Sequence, residues 1–374
     1  MPDTRGAPFR ADHVGSLLRP PELIAARTRK QAGEISAAAL REVEDRCIRD
    51  AVALQERIGL RGITDGEFRR TYFHIDFLEQ IEGIVVRGGM PTKFHRGDQE
   101  IDFAPPRLEV ASKLRRPRPI AGADFEFLKS VTGRVPKLCI PSPTMAHFRG
   151  GRASIDRKAY PDIQEFFDDL ARVYREEIAD LAARGCTYLQ LDDTNLAYLC
   201  DAKLRQGARD RGDDPDELPH IYARLINESI RGRPPGMTVC IHLCRGNFRS
   251  AWVADGGYDP VAEPLFSEIA VDGYFLEYDT PRAGDFSPLR YLPKGKMLVL
   301  GLVTTKTPAL ESAGDLKRRI DSAARYVPME HLAISPQCGF SSTVHGNEIS
   351  VEAETAKLRL IVDVARQVWG ADAV

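Results

Sequence analysis

Apolar side chains recur at every third or fourth position between residues 41 and 59, which predicts an amphipathic helix. Val43, Cys47, Ala51 and Ile58 fall on one face of this helix, and that face would pack against a core. The glycines that follow would end the helix. A strand-like stretch over residues 62–67 comes next, so a helix is followed directly by a strand.

The same alternation continues along the chain. Extended apolar runs predict strands at residues 12–17, 62–67, 135–143, 187–193, 237–244, 273–279, 297–305 and 331–338. Helical stretches such as 162–183 and 351–369 alternate with them. Eight strands that alternate with helices favour a parallel α/β fold, most economically a (β/α)8 TIM barrel, with an open doubly wound sheet as the alternative.

Residues 71–124 interrupt this alternation between the second and third βα units. The stretch is rich in Gly, Pro and Arg and contains short β-like pieces such as residues 83–87. We expect an inserted excursion that forms a lid or a hairpin. Because it is too short and too poor in apolar groups to build its own core, the prediction is a single catalytic domain over residues 1–374.

Charge and composition narrow the class of partner. The 374 residues include 52 Lys and Arg against 54 Asp and Glu, a net charge of −2, so no overall field would hold nucleic acid or an anionic membrane. The longest apolar run, near residues 297–303, is far below the ~20 residues that a membrane helix needs. The polar N-terminus lacks the apolar region of a signal peptide. We therefore expect a cytoplasmic protein that acts on small molecules.

Cysteine usage leaves metal binding open. Seven cysteines in a chain of this size are too few and too irregular for a disulfide scaffold, whereas thiolate chemistry or metal ligation is compatible with them. The sequence also lacks the glycine-rich motifs of dinucleotide and P-loop nucleotide sites, which lowers the expectation of such cofactors.

Polar residues stand at the ends of nearly all the predicted strands. In a (β/α)8 barrel the C-terminal strand ends carry the chemistry, and a buried polar group has little other reason to be there. Taken singly, each could instead be a helix cap, an ion-pair member or an inert core residue. These residues are Ser16, Glu67, Ser142, Asp192, Asp193, His242, Cys244, Glu277, the run 304–306, and Cys338.

Four of these residues suggest a zinc site. His242 and Cys244 are two residues apart on one strand, so their side chains share a face and converge. Glu277 ends the next strand and Cys338 ends the eighth, so the barrel would bring all four to one mouth. Two thiolates and an imidazole favour zinc over magnesium or calcium. The other five cysteines are interpreted as core residues.

These residues, together with His13-Val-Gly-Ser16, Asp65-Gly-Glu67 and Leu-Gln-Leu-Asp192-Asp, resemble the C-terminal catalytic barrel of cobalamin-independent methionine synthases. The N-terminal segment is similar to the single-barrel branch of that family. The resemblance covers most of the chain outside the insertion. It implies that His242, Cys244, Glu277 and Cys338 hold zinc, to which a substrate thiol binds.

The resemblance also implies an amino-acid pocket. Glu67 and Asp192 match positions that hold the ammonium of homocysteine, and Ser16 matches one that meets its carboxylate. His13 lies beside these segments and could face the cleft. The alternative for the two acids is a structural ion pair with an arginine at the barrel end.

Two departures from the family pattern concern the methyl donor. Lys306 lies where the long enzymes carry a histidine thought to protonate the leaving amine, so it is a candidate proton donor. Phe148 stands near the position of a tryptophan that stacks on the pterin, and it can still stack with less area. A basic stretch over residues 107–118 is interpreted as a solvated loop, with contact to the anionic tail of a folate as the alternative.

The leading hypothesis is a zinc-dependent S-methyltransferase that transfers a methyl group from a 5-methyltetrahydrofolate to homocysteine, giving methionine. One alternative keeps the zinc and the thiol but changes the electrophile, as in epoxyalkane:coenzyme M transferases, which would need a cationic pocket for a sulfonate. A second is a metal-free barrel similar to uroporphyrinogen decarboxylases.

Overall fold

Helices and strands alternate through most of the computed structural model, which describes residues 6–371. In chain order the elements are α1 (Pro21–Gln31), α2 (Ala37–Ile58), β1 (Gly62–Ile63), α3 (Ile75–Leu78), β2 (Glu82–Gly89), β3 (Thr92–Arg96), β4 (Gln99–Phe103), β5 (Pro106–Arg115), α4 (Gly122–Val131), β6 (Val135–Pro141), α5 (Ile163–Ala183), β7 (Tyr188–Asp193), α6 (Asn195–Tyr198), α7 (Ala202–Asp210), α8 (Leu218–Ile230), β8 (Thr238–Leu243), α9 (Asp259–Ser267), β9 (Gly273–Glu277), β10 (Met297–Val303), α10 (Ala313–Ala323), β11 (Leu332–Pro336) and α11 (Val351–Trp369).

Seven parallel strands form the central sheet in the order β1-β6-β7-β8-β9-β10-β11. Each strand is buried on both faces over most of its length, as expected where helices cover the outside of a closed parallel sheet. The fold class predicted from the sequence, a TIM-type barrel of alternating strands and helices, is confirmed.

The first predicted strand, residues 12–17, differs from the expectation because it forms no regular ladder. The segment before it bridges to β11, with the Asp12 N–H donating to Ile334 O at 3.1 Å, and the Thr64 hydroxyl reaches Gly15 O at 2.6 Å. Residues 10–15 thus span the gap between the last strand and the first. Asp12 accepts hydrogen bonds from nearby backbone N–H groups, and Gly15 has a φ of +138°. Both features interrupt an extended ladder.

The N-terminal end of the barrel is closed by packed side chains. Lys137 is fully buried, and its Nζ lies 3.0 Å from a carboxylate oxygen of Asp12. The same carboxylate accepts a hydrogen bond from Tyr188 at 2.7 Å. Phe9 and Phe275 belong to the apolar cluster beside this pair. The opposite end, where the strands finish, is left for a site.

The insertion folds as two antiparallel strand pairs. β2 pairs with β5, and β3 pairs with β4 as a hairpin. The hairpin reaches the loop after β8, where His95 and Trp252 exchange two backbone hydrogen bonds of 2.6 and 2.9 Å. Phe103 stacks on Phe248 with ring centroids 3.9 Å apart. The far end of the insertion therefore lies over the C-terminal end of the barrel.

Within residues 6–371, no helix combines the length and the apolar character needed to cross a membrane.

Candidate active site

Three of the predicted metal ligands lie together at the C-terminal end of the barrel. His242 is on β8, Cys244 follows it, and Cys338 follows β11. Their ligand atoms all lie within 4.8 Å of one another, and the two sulfur atoms are 3.1 Å apart. All three side chains are buried, and both ring nitrogens of His242 lack a hydrogen-bond partner in the protein. Two thiols and a free imidazole form a donor set that fits zinc.

The pKa values of the two cysteines are shifted in opposite directions. The hydrogen bond with Cys244, together with the nearby His242 ring, holds the pKa of Cys338 well below its usual value. The same bond, together with burial, raises the pKa of Cys244. Because the thiolate is the form that ligates metals, Cys338 is prepared to act as a ligand.

Glu277, the fourth predicted ligand, lies outside this group of three. It is the last residue of β9, and its side chain is fully buried. One carboxylate oxygen accepts a hydrogen bond from Arg245 N–H at 2.9 Å, and the other accepts one from the Arg282 guanidinium. Burial alone would raise its pKa, but Arg282 and Lys306 outweigh burial and hold the pKa at about 2. The side chain is therefore an ionised carboxylate directed toward arginine.

One cavity extends from the cysteine pair to the insertion. Its lining includes three predicted substrate residues, Ser16, Glu67 and Asp192. It also includes the three predicted metal ligands that lie together, called here the metal-ligand group: His242, Cys244 and Cys338. Ser16 Oγ accepts a hydrogen bond from Ser341 N–H at 3.3 Å. The residues predicted to bind the metal and those predicted to bind the amino acid therefore line one cavity.

The acidic pair carries perturbed pKa values. Carboxylate oxygens of Glu67 and Asp192 lie within 4.8 Å of each other. Burial raises the pKa of Glu67 to about 8; nearby Arg70 opposes this shift and Asp192 adds to it. Burial also raises the pKa of Asp192 to about 6, against the influence of His242. Two carboxyl groups that share a buried site resist ionising together.

A strained turn after β1 directs Glu67 into the cavity. Glu67 has a φ of +59°, in the left-handed region, and follows Gly66 at +65°. Its N–H donates to the Asp65 carboxylate at 2.9 Å, and its carbonyl accepts from the buried Arg19 guanidinium at 2.8 Å. A left-handed conformation of a non-glycine residue costs about 1–3 kcal/mol and persists where the surroundings hold it. Arg70, behind the pair, lies 3.4 Å from the Glu67 carboxylate.

His13 and Phe148, two predicted substrate residues, do not line the cavity. The His13 ring is directed at Gly62 O, 3.2 Å away. The ring centroids of Phe148 and Tyr198 are 6.2 Å apart, and Arg211 Cζ lies over the Phe148 ring, 5.5 Å from its centroid. Burial in these contacts, and not strand-end position, determines where the two rings point. Neither ring lines the cavity, and the assignments of His13 to substrate and of Phe148 to pterin stacking stay predictions.

Lys306, the predicted proton donor, also lies outside the cavity lining. Its Nζ donates to Gly246 O at 3.2 Å and to Asn247 Oδ1 at 3.3 Å, so the ammonium anchors the loop after β8. Asn247, which does line the cavity, donates in turn to Gly339 O at 2.8 Å. The geometry assigns Lys306 a place behind the site, where its charge favours the ionised forms of Glu277 and Cys338.

The sequence reasoning missed an aromatic wall of the cavity, formed by Phe94, Phe103 and Phe248. Phe94 and Phe103 come from the hairpin of the insertion, and Phe248 comes from the loop after β8. The only sequence signal for the two hairpin phenylalanines is an aromatic residue on each strand of a polar hairpin, which is weak.

Arg149 is the one Lys or Arg among the described residues that lines the cavity. In the basic stretch over residues 107–118, Lys113 forms an ion pair with an acidic side chain of α5.

Comparisons with known proteins show which family the chain resembles. A family profile described as "Cobalamin-independent synthase, Catalytic domain" matches residues 9–367. The chain is 45% identical over 370 residues to YxjH of Bacillus subtilis, a protein described as uncharacterised, and the match covers 98% of this chain and 96% of YxjH.

Solved structures are similar over nearly the whole chain. A Listeria monocytogenes protein, assigned as a vitamin-B12-independent methionine synthase, shares 36% identity with a TM-score of 0.75, over 97% of this chain and 99% of that one. A B12-independent methionine synthase from Shewanella, solved with selenomethionine, is 17% identical with a TM-score of 0.72, over 96% and 98% of the two chains. At that identity the second likeness concerns the fold alone. The chain belongs to the cobalamin-independent methionine synthase family of methyltransferases.

Proposed function

We propose that this protein is a zinc-dependent S-methyltransferase that methylates homocysteine to methionine, with a 5-methyltetrahydrofolate as the methyl donor. The observation that carries the proposal is the shared cavity: the thiol-and-imidazole group and the acidic pair line the same space. A substrate with a thiol at one end and an ammonium at the other would meet both.

The metal site supports the thiol half of the proposal. His242, Cys244 and Cys338 would hold zinc, and Glu277 is close enough to influence the pKa of the first two. Bound zinc would lower the pKa of a substrate thiol so that a thiolate exists at neutral pH. The anionic cysteine ligands would keep that sulfur electron-rich.

The charges around the acidic pair support the amino-acid half. Ionised Glu67 and Asp192 carry two negative charges, and Arg70 behind them supplies one positive charge. One ammonium would therefore neutralise the group, at a site where burial strengthens the attraction. The Ser16 hydroxyl, which lines the same cavity as the acidic pair, would bind the amino-acid carboxylate. A sulfonate in place of the amino acid would face like charge, which disfavours the coenzyme M alternative.

The aromatic wall supports a flat second substrate. Phe94, Phe103 and Phe248 form a patch in the lining of the same cavity as the acidic pair, and aromatic faces bind planar rings by stacking. Residues 71–124 would act as a lid that covers the reacting atoms and excludes water. Arg149 would attract an anionic group of the donor.

Zinc analysis and product analysis together test the proposal. Purified, chelator-washed protein reloaded with zinc should hold one equivalent and should form methionine, detected by mass spectrometry, from homocysteine and a methylfolate. Cys338→Ser should lose most of the zinc and the activity while it keeps the far-ultraviolet circular dichroism of the wild type. Cys186→Ser changes a buried cysteine outside the cavity and serves as the matched control.

The outcomes separate the alternatives. Protein that retains no stoichiometric zinc would reject both zinc-dependent functions and favour the metal-free barrel. Zinc-loaded protein that alkylates another thiol, but forms no methionine with any folate, would favour the coenzyme M type of reaction.

A further inference from the structure

Arg282 lies between two buried carboxylates beside the metal-ligand group. It belongs to the short 3₁₀ turn Pro281–Ala283 after β9, and its side chain is only 8% exposed. One terminal nitrogen donates to Glu277, and the same nitrogen lies 3.3 Å from Asp279. The side chains of Glu277 and Asp279 are 0% and 1% exposed. One guanidinium therefore serves two buried carboxylates, and its Nε also lies 3.8 Å from the exposed Asp255.

We propose that Arg282 is a positioning residue that receives the Glu277 carboxylate when the substrate thiol takes its place at the metal. Glu277 alternates between the group formed by His242, Cys244 and Cys338 and the Arg282 guanidinium. This inference rests on the proposed function, because it assigns Glu277 to the metal before the thiol binds.

The first support is the cost of a displaced carboxylate. A buried carboxylate that leaves a metal without a new partner costs several kcal/mol. Here the displaced Glu277 is met by Arg282 on one oxygen and by the Arg245 N–H on the other. At a bound metal one anion would replace another, and the thiol proton would pass to solvent. The local charge would change little, so the exchange would leave no additional charge buried.

The second support is what happens to Arg282 in the other position. A buried guanidinium that lost its only carboxylate would be left uncompensated. Arg282 keeps Asp279 when Glu277 moves to the metal. Neither state of the exchange leaves a buried charge unpaired, as a residue that alternates between two partners requires.

The third support is the packing that fixes the guanidinium. Arg282 lies over the Trp252 ring, 4.6 Å from its centroid. Trp252 is held by two backbone hydrogen bonds to His95 on β3 of the insertion. A cation over an aromatic face is attracted by the negative charge of the ring face. The guanidinium is therefore preorganised, and the hairpin of the insertion helps to hold it in place.

Zinc and homocysteine affinities test this role without a methyl donor. The proteins are wild type, Arg282→Gln, Arg282→Lys, Glu277→Gln and the double variant Arg282→Gln/Glu277→Gln. Zinc affinity is measured by competition with a chromophoric chelator, and homocysteine affinity by calorimetry on the zinc-loaded proteins. Arg290→Gln removes a half-exposed arginine of the same loop and is the matched control.

We expect Arg282→Gln to bind zinc about tenfold more tightly in the absence of thiol, because Glu277 is no longer drawn away. The same variant should bind homocysteine about tenfold more weakly, because the displaced carboxylate has no cation. Tenfold corresponds to about 1.4 kcal/mol. Arg282→Lys should restore part of each change, and Arg290→Gln should behave as wild type. The zinc effect should disappear in the Glu277→Gln background.

Unchanged zinc and homocysteine affinities in Arg282→Gln would overturn the inference. An equal gain in zinc affinity with and without Glu277 would also overturn it, because that result indicates a general effect of charge. If Arg282→Gln does not fold, Trp252→Leu loosens the guanidinium and should shift both affinities in the same directions, and no shift would reject the role. Wild-type protein that binds zinc but not homocysteine contradicts the proposed function, whereas the zinc affinities alone still decide the role of Arg282.

Discussion

The raised pKa of Glu67 predicts that the protein binds an amino acid more tightly as the pH rises. Burial, with a contribution from Asp192, brings this pKa to about 8. An ammonium interacts well only with the ionised carboxylate, so binding must release the proton. Affinity is therefore lost as the pH falls below 8, whereas a site whose acids are already ionised would show no pH dependence in this range.

The magnitude follows from the ionised fraction. With a pKa of about 8, roughly 1% of Glu67 is ionised at pH 6 and about half at pH 8. Methionine affinity should thus be about fiftyfold weaker at pH 6 than at pH 8, a difference of about 2.3 kcal/mol. Asp192, with a pKa of about 6, adds at most about a factor of two over this range.

Isothermal titration calorimetry with methionine is the suitable assay, because methionine has no thiol that titrates. Measurements on zinc-loaded protein in buffers of different ionisation enthalpy count the protons released, and we expect nearly one at pH 7. Glu67→Gln should bind with almost the same affinity at both pH values. Glu354→Gln is a matched control, since Glu354 is a buried carboxyl whose pKa is also raised to about 8 but which lies away from the cavity.

Two results would refute the reasoning. One is equal methionine affinity at pH 6 and pH 8 in the wild type. The other is a pH dependence that survives in Glu67→Gln, which would assign the proton to a different group.

Three further predictions concern packing and stability. Phe103→Leu removes the stack on Phe248, worth about 1 kcal/mol, and should raise the KM of the methyl donor about fivefold while methionine affinity stays within twofold; an unchanged donor KM would count against the aromatic wall. Burial raises the pKa of Glu354 to about 8, so its contribution to stability is present at low pH and is lost between about pH 5 and 8. Urea unfolding should show the wild type losing about 1.4 kcal/mol per pH unit relative to Glu354→Gln in that window, and parallel profiles would contradict it. Lys137→Met leaves Asp12 buried without its cation and should cost about 3 kcal/mol in urea unfolding, with recovery in the double variant that also carries Asp12→Asn.

The predicted site residues that lie together in the structure are those whose positions follow from periodicity and topology. The two-residue spacing of His242 and Cys244 puts both side chains on one face of β8. Parallel strands bring their C-terminal ends to one edge, so Cys338 and Asp192 arrive at the same mouth from strands far apart in sequence. Neither inference needs a side-chain conformation.

The predicted residues that lie away from the cavity are held by local side-chain contacts. His13 stands three residues before Ser16, yet its ring contacts the backbone at Gly62. Phe148 follows a strand end, but its ring packs against Arg211 and Tyr198. The predicted strand over residues 12–17 fails for a similar reason, because the Asp12 carboxylate accepts hydrogen bonds from the backbone N–H groups of Phe9 and His13. Such contacts leave no periodic signal in a sequence.

The cavity lining concentrates groups that a stable fold would otherwise avoid. Its buried polar atoms without a hydrogen-bond partner in the protein include Glu67 Oε2 and both ring nitrogens of His242. Each such atom costs about 1–3 kcal/mol, and the left-handed backbone at Glu67 adds strain. A divalent metal would engage the imidazole, and an ammonium would engage the carboxylate. Each would therefore stabilise the folded protein in proportion to its own affinity. Arg70 partly neutralises the two carboxylates and so reduces the repulsion between them, and one negative charge is left for an ammonium to balance. The free-energy cost of these buried groups would thus be offset by the ammonium and the thiol of homocysteine and by the metal that the thiol requires.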